Sequence, residues 1–298
     1  MSYDNNNLSI LPWFDAQSRQ NHRKSYTQGQ VWPLICAQYR MPCWQIKRAA
    51  LGTPGVPDPV TSLVITHIQT GATFDLTAAI SGAGFGIEQY TPPGEDAYDL
   101  LVYNGQSNIE GFLTPEGQYD AVMTDGTNTW HSERFFMRAY LGDLIQIKYW
   151  HDAPFLVPGY HISYRNPFYN FVYLNSEVNR PDYEETEEVE ERDGYKFSIY
   201  ATSRKKYKIV GLLLPEYMCD ALRVLWMHHY AQVIFQGITY TPDEIRVVFG
   251  DWQEPGNVRA VTIEFITDTV VTQTGYIKSV GDGGDYDQTD YNDDHLIS

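Results

Sequence analysis

Tyr119-Asp120-Ala121-Val122-Met123-Thr124-Asp125-Gly126-Thr127-Asn128-Thr129-Trp130-His131-Ser132-Glu133-Arg134-Phe135-Phe136 carries the plainest β signature in the chain. Asp125-Gly126 falls between the runs 119–123 and 129–136, and an Asp-Gly pair so placed reads as a tight β-hairpin. The same kind of signal extends outward in both directions. Ile145, Ile147 and Tyr149 alternate with Gln146 and Lys148, the period of a half-buried strand. Val261, Ile263 and Phe265 alternate with Thr262 and Glu264 in the same way. Further strands are expected over 61–68, 98–103, 160–165, 195–201, 206–213, 232–240, 245–249 and 268–276. The chain also holds 23 tyrosines with abundant Thr and Val, residues that suit pleated surfaces. So many short strands predict sandwiches or barrels in place of alternating βαβ units.

One segment departs from this pattern. Residues 215–230 open with Pro215, which suits a first helical position. Met218, Leu222, Leu225 and His229 recur at helical spacing, with Trp226 beside them. The segment predicts a single amphipathic helix lying across a sheet or a neighbouring subunit. The fold expected is therefore mainly β, with two β-sandwich or barrel-like domains and one amphipathic helix in the C-terminal half.

The 298 residues exceed one comfortable core and suffice for two domains. An N-terminal aromatic-rich segment and connector is expected over 1–60, where Ala50-Leu51-Gly52-Thr53-Pro54-Gly55-Val56-Pro57-Asp58-Pro59-Val60 forms the connector. A first β-sandwich domain follows over 61–140, and a second β-rich domain over 141–276 carries the helix. Their boundary falls near 138–143. Residues 277–298 read as an acidic flexible tail. Trp13, Phe14, Trp32 and Trp44 put aromatic bulk into the N-terminal segment, to dock on a sheet or a neighbour. These four, with Trp226 and His229, are the expected interface residues.

The net charge of −17 is unevenly placed. Residues 182–193 hold eight acids (Asp182, Glu184, Glu185, Glu187, Glu188, Glu190, Glu191, Asp193) against Arg192 alone, and 281–298 hold six with no Lys or Arg. Without these two stretches 24 acids face 20 bases, so the body is nearly neutral and the acidity is solvated. Such carboxylates repel phosphate, which argues against nucleic acid as a partner. The short basic clusters at 19–24 and 204–208 read as solvated strand ends or subunit contacts. No run approaches the roughly 18 apolar residues of a membrane span, so no membrane partner is expected. The start, Met1-Ser2-Tyr3-Asp4-Asn5-Asn6-Asn7, has neither a basic n-region nor an apolar h-region, and no secretory signal is expected. Cys36, Cys43 and Cys219 make neither a disulfide framework nor a Cys-x-x-Cys pair.

Gly105-Gln106-Ser107-Asn108-Ile109-Glu110-Gly111 after the apolar 100–103 resembles the nucleophile block of SGNH-type carbohydrate esterases. A serine nucleophile needs a base, and that family supplies it from an Asp-x-x-His block. None of the eight histidines has Asp three positions earlier, and His295, the best placed, has Asn292. The family's Gly-x-Asn-Asp block is absent too, so a polar loop is the preferred reading. Gly82-Ala83-Gly84-Phe85-Gly86 lacks the Gly-Lys-Ser/Thr of a phosphate cradle and reads as a turn. His228 and His229 are adjacent, so on a helix they point about 100° apart and do not chelate one metal. Asp282, Asp285, Asp287 and Asp290 match no calcium-loop spacing, and the acidic 182–193 reads as an extended linker between strands. No cofactor and no metal are expected. The aromatic surplus suits cores and subunit contacts first, and a glycan platform second.

Three groups of blocks resemble a family of tail-associated virion proteins of Bacteroidetes phages and prophages. The first is Leu11-Pro12-Trp13-Phe14-Asp15 with Gln20-Asn21-His22-Arg23-Lys24 and Val31-Trp32-Pro33-Leu34. The second is Tyr98–Tyr103 with Gly117-Gln118-Tyr119 and the block from Thr124 to Glu133. The third comprises Arg192-Asp193-Gly194-Tyr195, Leu214-Pro215-Glu216-Tyr217-Met218-Cys219-Asp220-Ala221, Trp252-Gln253-Glu254 and Asp268-Thr269-Val270-Val271. The likeness is one of pattern and carries no catalytic signature. It implies a structural or attachment part of a phage particle; with the unpaired cysteines and β-rich domains, the expectation is a non-enzymatic virion protein of the tail or baseplate region, assembled in the host bacterial cytoplasm. Its implied partners are other virion proteins and further copies of itself. The alternative expectation is a glycan-binding adhesin or receptor-binding protein that meets a host-surface glycan.

Overall fold

A computed structural model describes residues 10–15, 34–49, 60–77, 87–90, 98–103, 105, 115–151, 156–157, 162–163, 168–192, 195–253 and 258–273. The architecture is mainly β, with one α-helix in the C-terminal half, as the alternation and turn signals imply. In chain order the first strands are β1 (Trp13–Asp15), β2 (Leu34–Ala37), β3 (Trp44–Ala49), β4 (Ser62–His67), β5 (Thr73–Asp75), β6 (Ile87–Tyr90) and β7 (Tyr98–Tyr103). There follow β8 (Gly117–Thr124), β9 (Thr129–Ser132), β10 (Phe135–Arg138), β11 (Ile145–Trp150), β12 (Leu156–Val157), β13 (Ile162–Ser163) and β14 (Asn170–Leu174). The last are β15 (Asp182–Arg192), β16 (Tyr195–Pro215), β17 (Tyr230–Phe235), β18 (Ile238–Tyr240), β19 (Glu244–Gln253) and β20 (Val258–Gln273). Helix α1 (Glu216–Arg223) and a 3₁₀ turn (Leu225–Met227) lie between β16 and β17.

The Asp125-Gly126 hairpin joins β8 to β9. Asp125 is the reason the turn closes: its carboxylate accepts from the backbone N–H of Thr127 (2.9 Å) and of Asn128 (2.7 Å). Gly126 takes the positive φ of +91° that a side chain resists. β9 and β10 then run along one edge of β8, with Val122 opposite His131 and Tyr119 opposite Phe135. Between these pairs two residues on β8 thus face three on the other side, a one-residue bulge at Glu133 and Arg134 that bends the strand. Beyond the bend the two parts take different neighbours. β1 pairs with β9 antiparallel, and β2 pairs with β10 parallel.

β2 also meets β14 at Ile35 and Tyr173, and through it the ladder continues to β11, β17 and β18. Strands from both sides of residues 138–143 therefore belong to one sheet, and the division expected there does not coincide with a break in the structure. The chain divides instead into a unit of Met1–Asp182 with Lys206–Thr267 and a unit of Tyr183–Lys205 with Asp268–Ser298. Backbone hydrogen bonds made by a strand from the N-terminal segment tie the two expected domains together, and no local signal shows such pairing.

Alternation decides which side chains form the core. On β8 and β11 every second residue is buried: Tyr119, Ala121 and Met123, then Ile145, Ile147 and Tyr149. They join Leu63 and Ile65 of β4, Phe135 and Met137 of β10, and Trp44, Ile46, Leu101 and Tyr103 of the separate β3–β7–β6 sheet in one cluster. Trp44 is fully buried, edge-on to Trp13 at 5.2 Å and beside Tyr103 at 6.0 Å. Tyr217, Met218, Ala221 and Leu222 of α1 and Val261, Ile263 and Phe265 of β20 extend the same cluster.

Four expectations about elements are corrected. The helix expected over 215–230 is α1 alone, ending at Arg223. Val224 (φ −91°, ψ −5°) starts the tighter 3₁₀ turn, and His228 is already extended. The runs 195–201 and 206–213 are one strand, β16, and so are 261–265 and 268–273 within β20. The run 232–240 is a hairpin, because Gln236 and Gly237 both take positive φ (50° and 80°) and fold β18 back onto β17. The acidic stretch expected as a linker is strand β15, laid on β16 with Asp182 near Lys208 (4.0 Å).

Candidate functional site

The site grows out of the junction between α1 and β17. Pro215 sits before the helix with φ −70° and leaves β16 without donating to a ladder. α1 buries Tyr217, Met218, Cys219, Ala221 and Leu222, and Arg223 near its end pairs with Asp220 at 3.4 Å. The turn that follows is closed by Met227 N–H to Val224 O (3.0 Å) and His228 N–H to Leu225 O (3.2 Å). Leu225 is fully buried and Val224 nearly so, which pins the turn to the core. Trp226, between Leu225 and Met227, is held 65% exposed. Met227 and Tyr230 are exposed beside it.

His151, immediately after β11, comes against His228 and His229. The His151 and His228 rings stack at 4.7 Å, and the His151 and His229 rings meet edge to face at 4.4 Å. Tyr149 packs edge-on to His228 at 4.7 Å, and its hydroxyl donates to Ala221 O at 2.8 Å. His228 Nδ1 lies 2.8 Å from Val224 O; a carbonyl only accepts, so Nδ1 carries the proton. The His229 N–H points at His151 Nδ1 at 3.4 Å, which makes that nitrogen an acceptor. Burial lowers the His228 pKa to about 4; the bond to Val224 opposes this, and His151 and His229 add to it. His228 is therefore neutral at neutral pH.

The His151 and His228 rings stack, and His229 stands edge to face with His151. Among the described residues no three His, Cys, Asp or Glu side chains are placed to hold a metal ion. The three thiols are free and buried. Burial pushes Cys43 and Cys219 up to about 12 and Cys36 further still, so none supplies a thiolate at neutral pH.

A groove of about 510 Å³ opens at this junction. Trp226, His228, His229 and Ala231 line it, together with residues 242–247, which include Asp243, Glu244 and Arg246 as well as Ile245 and Val247. Nearby, on β11 and β17, Trp150 stacks on its cross-strand partner Tyr230 at 5.4 Å and meets Tyr169 edge-on at 5.2 Å. The Lys148 ammonium lies 3.6 Å from the Tyr169 ring centre, and burial lowers its pKa.

The expected interface residues divide. Trp13, Phe14 and Trp44 are buried inside one chain, so they pack its own core and do not present a contact to a neighbour. Trp226 and His229 are exposed on the groove. Trp32, Ser107, the glycines 82–86 and the tail acids lie outside the described residues. The basic run 204–208 is no solvated strand end. It lies inside β16, where Lys206 and Lys208 flank Glu264 at 3.2 and 3.7 Å and Lys205 meets Asp268 at 3.3 Å. Sequence reasoning missed His151, Asp243, Glu244 and Arg246, which carry no motif and reach the groove only through strand pairing. No family model, no curated protein and no solved structure matches the chain.

Proposed function

We propose that the chain is a non-enzymatic structural part of a phage virion, of the tail or baseplate region, and that it works through contacts between its own copies and other virion proteins. One observation carries the subunit-contact reading. The described residues of the second unit are continuations of β15, β16 and β20, and none of the apolar side chains described there is buried. Tyr183 is 68% exposed and Val270 60%, with Val189 and Val271 exposed as well. A ribbon of a few strands is marginal in water while its apolar side chains stay uncovered. Exposed apolar residues on such strands suit a protein partner, and symmetric homo-oligomers supply one. The carboxylates along β15 blunt that edge of the four-stranded sheet, which guards against open-ended strand addition.

The virion reading is further supported by the blocks that resemble phage tail-associated proteins, among them Leu214-Pro215-Glu216-Tyr217-Met218 and the Asp125-Gly126 hairpin.

Two measurements test the proposal. Mass spectrometry of purified particles from the producing host should find the chain, and its absence would remove the virion role. Light scattering of the purified protein should show an oligomer that Val270→Lys with Tyr183→Lys weakens. A monomer at every concentration would remove the role of subunit contacts.

A further inference from the structure

We infer that the outward face of β11 at Lys148 and Trp150 binds a small organic carboxylate, with its charge on the Lys148 ammonium and its apolar body against the neighbouring rings. The face is formed within one chain, so it needs neither a particle nor a second copy.

Strand register assembles it. Lys148 and Trp150 lie two apart on β11, so both side chains leave on the face opposite the buried Ile147 and Tyr149. Their antiparallel partners on β17, Gln232 and Tyr230, share that face. Tyr169, just before β14, meets Trp150 edge-on at 5.2 Å. Exposure increases along the face. Phe171, across from Lys148 on β14, is buried, Lys148 and Trp150 are half-buried, and Tyr230 is exposed. The ammonium thus stands where a closed apolar region opens to solvent.

Lys148 is a cation without a counter-charge. Its ammonium lies 3.6 Å from the Tyr169 ring centre and 5.1 Å from that of Trp150. Ring faces attract and orient a cation, yet they do not take up its three N–H donors as an oxygen would. Among the described residues no oxygen accepts a hydrogen bond from Lys148. Lys205, Lys206 and Lys208 are placed otherwise, each against a carboxylate. Burial lowers the Lys148 pKa, and no charge of a described residue contributes. Partial desolvation without an acceptor costs free energy that a contacting anion offsets.

The charge and the rings together select the ligand. One ammonium without a second cation matches a single negative charge. A doubly charged phosphate is usually met by several cations or free backbone N–H groups. Here the backbone of β11 is engaged by ladders on both sides. A carboxylate brings one charge and two acceptor oxygens to three donors. Trp150 already stacks on Tyr230 at 5.4 Å, so a flat or apolar body meets a preformed surface at small entropic cost. A cationic ligand would meet like charge, and an uncharged one would leave the ammonium unsatisfied.

The test uses the full chain with phenylacetate, benzoate and indole-3-acetate as probes, read by saturation-transfer NMR. At least one should give a saturable signal. Its uncharged amide, which keeps the ring, and acetate, which keeps the charge, should each bind about tenfold more weakly or worse. Lys148→Gln should weaken binding about tenfold or more, and Lys148→Arg, which keeps the cation, should hold part of it. Thermal midpoints show whether each variant is folded. If Lys148→Gln does not fold, the comparison of acid with amide on the native chain decides alone. Three outcomes would overturn the inference: no saturable signal from any of the acids, an amide that binds as well as its acid, or undiminished binding in a folded Lys148→Gln chain. Tighter binding of phenyl phosphate than of every carboxylate would overturn the choice of a single charge.

Discussion

Replacing His228 with glutamine should remove an acid sensitivity that the wild-type chain carries. The imidazole is packed between His151 and Tyr149, bonded through Nδ1 to Val224 O, and held at a pKa of about 4 against an ordinary 6.5. Between these two values the unfolded chain takes up a proton that the folded chain refuses. The contribution is therefore fully present above pH 6.5 and is lost as the pH falls toward 4. At 1.36 kcal/mol per unit the full shift would be worth about 3 kcal/mol, and partial solvent access to the ring reduces this to about 2. The rings packed against His228 are those of His151 and Tyr149, and the charges of His151 and His229 add to burial in disfavouring its protonated form. Urea denaturation of both chains near pH 7 and near pH 4 measures the effect as a double difference. Titrating carboxylates are common to both proteins and cancel. The wild type should lose about 2 kcal/mol more than His228→Gln on acidification. Equal losses would show that His228 is not held neutral by its packing, and the account of the junction would fail.

Three other outcomes follow from the same geometry. Tyr149→Phe strands the buried Ala221 carbonyl and should cost about 1–3 kcal/mol by chemical denaturation; a neutral change would mean the hydroxyl bond is not formed. Asp125→Ala removes the acceptor for two backbone N–H groups of the β8–β9 turn and should cost about 1–2 kcal/mol, where an unchanged midpoint would count against the turn as described. Cys36, Cys43 and Cys219 should resist a thiol reagent in the native protein and react together in denaturant, and rapid native labelling of any one would contradict its burial.

The parts of the fold legible beforehand are those written in local periodicity. The strands at 62–67, 98–103, 117–124 and 145–150 stand where alternation or turn chemistry put them. Element ends and pairings were less legible. Leu225 and His229 keep the helical spacing and so predict a longer helix, while the chain tightens at Val224 and brings His228 against His151. The acidic stretch read as a linker because Glu suits strands poorly, yet it is paired with β16. A clue was available in Asp193-Gly194, the same dipeptide as at 125–126, between two runs that turn out to be β15 and β16.

Residue order suffices to tell which residues alternate, where Asp-Gly pairs allow reversal, and that the acidity is segregated from a nearly neutral body. These are local properties, decided by a residue and its near neighbours. Tertiary structure alone decided that β2 joins what seemed two domains, that Trp13 and Trp44 are core while Trp226 is displayed, and that His151 meets a histidine pair 77 positions away. Each depends on a backbone ladder between distant segments, and hydrogen bonds between peptide groups are blind to the side chains they bring together.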